Sequence, residues 1–100
     1  MKISSTQAYR RWFSKLKDET TKARINLRIS RLADGNAGNH RNLTHGISEL
    51  KLTFGAGYRV YYTERNNELI LLLIGGDKSS QSDDIKSAIE MVKLLDSNEE

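Results

Sequence analysis

Two short stretches hold the residue types best suited to gripping an anion. In Glu49-Leu50-Lys51-Leu52-Thr53-Phe54, the apolar Leu50, Leu52 and Phe54 alternate with Glu49, Lys51 and Thr53, the period of a half-buried strand. Tyr58-Arg59-Val60-Tyr61-Tyr62-Thr63 follows after Gly55-Ala56-Gly57, so the two stretches pair as a hairpin around a three-residue loop. Such a loop sets Phe54 opposite Tyr58, Thr53 opposite Arg59 and Lys51 opposite Tyr61. Glu49, Lys51, Arg59, Tyr61 and Thr63 then form one polar patch on the wet face of the sheet. Arg59 is its chemical centre, because a guanidinium is always ionised and can hold two phosphate oxygens at once.

The flanking chain must position this hairpin. Thr6 is an N-cap candidate, and Tyr9, Trp12, Phe13 and Leu16 fall at i, i+3, i+4 and i+7, which predicts an amphipathic helix over about residues 7 to 17. Its aromatic side chains read as core anchors, with base stacking as the alternative. Asp18 can cap a second helix that runs to about Asp34, with Gly35 as its left-handed C-cap. On that helix Ile25, Ile29 and Leu32 make one apolar flank and Ala23 and Leu27 another. Arg24, Arg28 and Arg31 form a basic ridge between them, either facing an anionic partner or simply solvated.

Residues 36–46 read as loop, with a possible short strand at 41–43, and contain Arg41 and both histidines, His40 and His45. Leu69 to Ile74 is apolar at every position, as expected of a central strand buried on both faces. Met1 to Ser5 is either a brief edge strand or a frayed end. Ser80 or Ser82 can cap a last helix carrying Ile85, Ala88, Ile89, Val92 and Leu95 at helical spacing, with Asp83 and Asp84 at the positive end of its dipole. Residues 96–100 read as an acidic tail. The periodicity switches from 3.6 to 2 and back, which predicts an α+β fold: two N-terminal helices packed on a curved, mainly antiparallel sheet of about four strands, plus a C-terminal helix.

The 100 residues make one domain, 1–100, with room for a modest core and none for a large cofactor pocket. The absence of cysteine removes disulfides, thiolate metal sites and thiol nucleophiles. Two loop histidines without carboxylates at ligand spacing give no metal site, and no cofactor is expected. No apolar stretch is long enough to span a bilayer, and a cytoplasmic location is expected. The net charge of +3 conceals an asymmetry. Residues 1–65 carry 13 Lys and Arg against 5 Asp and Glu, whereas residues 66–100 carry 3 against 8. Such a split suits one basic surface turned toward an anionic partner.

Gly57-Tyr58-Arg59-Val60-Tyr61-Tyr62, preceded by Glu49-Leu50-Lys51-Leu52 and followed by a leucine-rich strand and Gly75-Gly76-Asp77-Lys78-Ser79-Ser80-Gln81, resembles the RelE/ParE toxin superfamily. The resemblance is closer to the phage-derived addiction-module killer proteins related to HigB toxins. It extends to Trp12, Leu16-Lys17-Asp18, the helix from Ala23 to Leu32 and Gly35-Asn36, covering nearly the whole chain. It implies the toxin of a type II toxin–antitoxin system, an mRNA endoribonuclease acting on translating ribosomes by metal-independent 2′-OH attack. It implies a cognate antitoxin of helix-turn-helix type as partner, with mRNA and the ribosome. Two alternatives stay open: a ParE-like inhibitor of DNA gyrase acting by protein contact, and a non-catalytic RNA-binding or interaction module.

Cleavage by 2′-OH attack needs a base, cations for the phosphorane and an acid for the leaving 5′-oxygen. Arg59 matches a catalytic strand arginine of RelE-like toxins, and Lys51 one of their strand lysines. Lys78 is the only cation in the loop after the central strand. No tyrosine or histidine follows Tyr62, so the C-terminal acid of the family has no counterpart by position. Tyr61, Lys78, Glu49 and a loop histidine are left to supply it, although ordinary lysines and tyrosines give up protons reluctantly at neutral pH. Arg24, Arg28, Arg31, Arg41 and His45 are the expected RNA-binding residues.

Overall fold

The computed structural model describes residues 1–97. It orders the chain as β1 (Lys2–Ser5), α1 (Gln7–Ser14), α2 (Glu19–Ala33), β2 (His40–Asn42), β3 (Ile47–Lys51), β4 (Arg59–Arg65), β5 (Leu69–Gly76), a 3-10 turn (Lys78–Ser80) and α3 (Gln81–Ser97). The strands make one sheet in the order β1-β5-β4-β3-β2. β2 to β5 are antiparallel, and β1 adds a fifth, parallel strand at the edge beside β5. This is the expected α+β architecture, with the all-apolar strand β5 between two neighbours. Of the acidic tail, 98–100 lie outside the described residues, while Asp96 belongs to α3 and pairs with Arg65 at 2.8 Å.

α1 and α2 cover one face. Thr6 caps α1 by accepting from the Tyr9 N–H at 3.0 Å, and its hydroxyl donates to the Leu73 carbonyl at 2.6 Å, tying the helix start to β5. α1 is shorter than its stripe implies, because after Ser14 the chain tightens into Lys15 N–H to Trp12 O and Leu16 N–H to Phe13 O bonds. Leu16 is thereby still packed against the core. Asp18 caps α2 through the Thr20 N–H and the Thr21 hydroxyl, and Gly35 follows α2 with φ +92°. Tyr9, Ile25, Ile29 and Leu32 bury Leu50, Leu52, Val60, Tyr62, Ile70 and Leu72. Ala23 and Leu27 are exposed, so α2 has one buried flank rather than two.

The opposite face, expected to be wet, is covered by α3. Ile47, Tyr61 and Leu73 pack with Ala88 and Val92 into a second core, joined by Ile74, Ile85 and Ile89. Glu49, Tyr61 and Thr63 are therefore at most 3% exposed, which corrects the reading of them as an open patch. A bulge in β5 makes room for this. Tyr61 pairs with Ile74 but Tyr62 pairs with Leu72, so the consecutive Leu73 and Ile74 both face α3. Two close approaches fix the end of β5. A β-carbon at Gly75 would overlap the Trp12 ring, and one at Gly76 would overlap the Asp84 carboxylate.

Candidate functional site

The β3–β4 loop spans five residues, 53–57, instead of three, because Leu52 and Tyr58 still pair through Leu52 N–H to Tyr58 O. This shifts the expected register by two. Lys51 faces Arg59 and Glu49 faces Tyr61. A two-residue shift preserves sidedness, so the same residues share a face with different partners. Two rows result. Arg41, Glu49, Tyr61 and Ile74 cross the sheet from β2 to β5, and Lys51, Arg59 and Gly76 form the next row toward the hairpin loop.

Glu49, wholly buried, holds the first row together. It accepts from Arg41 Nε at 2.8 Å through Oε1 and from Gln81 Nε2 at 2.9 Å through Oε2, and Arg59 Nε lies 3.7 Å from Oε2. Burial alone would raise its pKa. The hydrogen bonds from Arg41 and Gln81, the adjacent Tyr61 phenol and the Arg41 charge outweigh burial and hold the carboxyl below its ordinary range. Burial and the Glu49 charge push the Tyr61 phenol well above its ordinary range. Glu49 is thus a fixed anion and Tyr61 a neutral phenol at pH 7, and neither is poised to shuttle protons there.

Arg59 is only 13% exposed. Its guanidinium donates to the Gly57 carbonyl at 2.7 Å, which folds the side chain against the hairpin loop. Lys78 reaches the same loop, its N–H donating to Ala56 O at 3.3 Å. Arg41 and Arg59 contact the Glu49 carboxylate, Lys51 lies opposite Arg59 on β3 and the Lys78 backbone joins the hairpin loop, while a second carboxylate, Asp84, lies beside Gly76 in the Arg59 row. Three buried donors among the described residues, the Tyr9 and Tyr61 hydroxyls and Arg59 Nε, complete no well-aligned hydrogen bond, and the last two face the Glu49 carboxylate.

The expected RNA-binding set divides. Arg41, 49% exposed, belongs to the Arg59 cluster rather than to a separate surface. Arg28 is not part of a free ridge. It donates to the carbonyls of Lys51 at 2.7 Å, Ala37 at 3.2 Å and Asn39 at 3.1 Å, and so fastens the 36–39 loop and β3 to α2. Arg24 lies 4.8 Å from the centre of the Phe54 ring, and Arg31 is exposed. Both sit on the α1/α2 side of the sheet. His45 occupies the β2–β3 turn with φ 60°, at the other end of β3 from Lys51, and His40 pairs with Leu50 on the α2 face. Neither histidine joins the cluster. Gln81 does; the sequence placed it in the loop motif after the central strand but not in the site, because its contact with Glu49 follows from where α3 docks. Among the described residues no group of His, Cys, Asp or Glu could hold a metal ion, and no helix is long and apolar enough to cross a membrane.

No protein-family model matches the chain. An uncharacterized protein of Haemophilus influenzae is 48% identical over 88 residues, covering 88% of this chain and 89% of that one. Among solved structures, a chain of the intact E. coli RelBE toxin–antitoxin complex superposes with a TM-score of 0.62 at 15% identity, covering 76% of this chain and 94% of its own. The isolated E. coli RelE toxin gives 0.61 at 15% identity, covering 85% and 95%. The fold is therefore that of RelE, and the chain belongs to one family with the Haemophilus influenzae protein.

Proposed function

We propose that this protein is the toxin of a type II toxin–antitoxin pair, in the HigB-like branch, and that it cleaves mRNA on translating ribosomes in the cytoplasm. The observation that carries the reading is Arg59 on a central strand of a RelE fold, with Lys51 opposite it, Lys78 on the adjoining loop, and Arg41 beyond a shared buried carboxylate. Arg41 and Arg59 on the Glu49 carboxylate, with Lys51 and Lys78 on the neighbouring strand and loop, suit a phosphodiester whose charge grows in the transition state. Attack by the 2′-hydroxyl then proceeds chiefly by positioning and charge. Neither the Glu49 carboxylate nor the Tyr61 phenol is poised to move a proton near pH 7, and the ribosome provides those transfers. The antitoxin, of helix-turn-helix type, is the partner that keeps the protein silent.

A second reading, inhibition of DNA gyrase by protein contact, gains from the same cluster. Glu49 already offsets part of the charge, and no proton donor stands in the family's C-terminal position. A cell-free translation reaction read by primer extension on the mRNA, run beside a supercoiling assay, separates the two. The proposed function predicts new 5′ ends in the message and unchanged supercoiling; intact message with impaired supercoiling transfers the protein to the gyrase reading.

A further inference from the structure

Arg59 and Glu49 form an ion pair that has not closed. Arg59 Nε and Glu49 Oε2 stand 3.7 Å apart, both shielded from solvent, and Nε completes no other hydrogen bond. Charge-assisted pairs ordinarily settle at about 2.7–2.9 Å. Two contacts hold this one open. The Gly57 carbonyl draws Arg59 Nη1 toward the hairpin loop at 2.7 Å, and Gln81 Nε2 donates to the same Oε2 at 2.9 Å. Because a carboxylate only accepts, the part of Gln81 that faces it is the amide N–H₂. Gln81 thereby satisfies the oxygen that Arg59 would otherwise take, and it does so without a charge of its own.

Gln81 is the first residue of α3, and its direction is fixed from both sides. Behind it, the Asp77 carboxylate accepts from the N–H groups of Ser79 at 2.9 Å and Ser80 at 3.3 Å, which winds Lys78–Ser80 into a 3-10 turn. Ahead of it, Asp84 accepts from the Ser80 hydroxyl at 2.6 Å and lies against Gly76, the strand partner of Arg59. The turn is therefore docked on the row it serves. We infer that Gln81 is a positioning residue, whose amide occupies Glu49 Oε2 and keeps the Arg59 guanidinium off that carboxylate and open to a phosphate. Without it, the guanidinium closes on Glu49 as a hydrogen-bonded salt bridge and its charge is spent there. The inference rests on the proposed function only in naming that phosphate as the scissile phosphodiester.

The test follows the Arg59 Nε–H resonance of the full chain by NMR, assigned by its loss in Arg59→Ala. Gln81→Met keeps the bulk of the side chain and removes the donor. In that variant the resonance should move downfield and exchange more slowly than in wild type, as closing a hydrogen bond to a carboxylate requires. Inorganic phosphate should perturb the resonance in both proteins, with an affinity about tenfold weaker in Gln81→Met, the consequence of a guanidinium free only about a tenth of the time. Cleavage of mRNA should fall by a similar factor, and in an Arg59→Ala background Gln81→Met should slow it no further. Gln81→Asn, whose amide stops one methylene short of Oε2, should match Gln81→Met and takes its place if that variant does not fold. Gln81→Lys, with an N–H donor at similar reach, should return the resonance toward its wild-type position. A Gln81 that only braces α3 would lower the urea midpoint on substitution and leave the Arg59 resonance in place, and that result overturns the proposal. So does a wild-type resonance that ignores phosphate, or equal phosphate affinity in wild type and Gln81→Met. A wild type that behaves as described toward phosphate but leaves mRNA intact loses the cleavage reading and keeps this one. Cleavage by wild type that Gln81→Met matches, with an unmoved resonance, does the reverse.

Discussion

Replacing Glu49 by Gln removes one negative charge from between Arg41 and Arg59 while keeping the side chain's shape. The wild-type carboxylate is fully buried and accepts two hydrogen bonds, from Arg41 and Gln81, with Arg59 at 3.7 Å. A glutamine offers one oxygen to these donors and turns its amide N–H₂ toward the other. The variant thus loses one charge-assisted hydrogen bond, at about 1.5–3 kcal/mol, and sets two donors against each other. A total cost of about 2–4 kcal/mol at pH 7 follows, measurable as a fall in the urea midpoint at unchanged slope. The pH dependence identifies the cause. Because the folded-state pKa of Glu49 is lowered, its contribution is complete above the unfolded-state value and fades as the pH falls through the folded-state value. The gap between wild type and Glu49→Gln should therefore close in acid, as the wild type also becomes neutral at this position. A gap that is absent at pH 7, or that stays constant into acid, would show that Glu49 is not an ionised hub and would refute this account of the cluster.

Arg59→Ala should cost about 1–3 kcal/mol, because it withdraws a cation from Glu49 and the donor to Gly57 O, and thermal melts will show it. Such a variant therefore needs its folded fraction measured before its activity is judged. Lys51→Ala should slow cleavage less than Arg59→Ala, since a flexible ammonium is more easily replaced by a neighbouring cation, and the two rates can be compared in one translation reaction. Arg28→Ala leaves three carbonyls without their charged donor and should lower stability by about 1.5–3 kcal/mol, or roughly 6–24 °C in melting temperature. Gly75→Ala should cost about 1–3 kcal/mol by driving a methyl group into the Trp12 ring, with a change in tryptophan fluorescence.

Local signals were legible and docking was not. Thr6, Asp18 and Gly35 announced the helix ends because caps and left-handed positions depend on nearby backbone alone. The alternation in 49–54 and the unbroken apolar run of β5 marked the central strands. The sidedness of Arg59 and Val60 followed from that alternation and survives the longer hairpin loop, since a shift of two residues keeps every side chain on its face. The burial of Glu49, Tyr61 and Thr63 could not be read from their polarity. It depends on which face α3 selects, a long-range choice to which the Ile85, Ala88 and Val92 stripe is blind. Arg28 shows the same limit. Helical spacing placed it on a ridge, but its length lets it reach the carbonyls of a loop eleven residues on and of a strand twenty-three residues on. The bulge at Leu73 also left no trace in an apolar run.

The central claim is that Arg59 serves RNA chemistry, and it is tested most directly by the cleavage rate of a ribosome-bound mRNA with wild type and Arg59→Ala, each normalised to its folded fraction. The account predicts cleavage by the wild type and a rate about 100- to 1,000-fold lower for the variant, the usual cost of losing one preorganised charge contact in such a site. Equal rates from folded protein would contradict it and leave Arg59 a structural partner of Glu49.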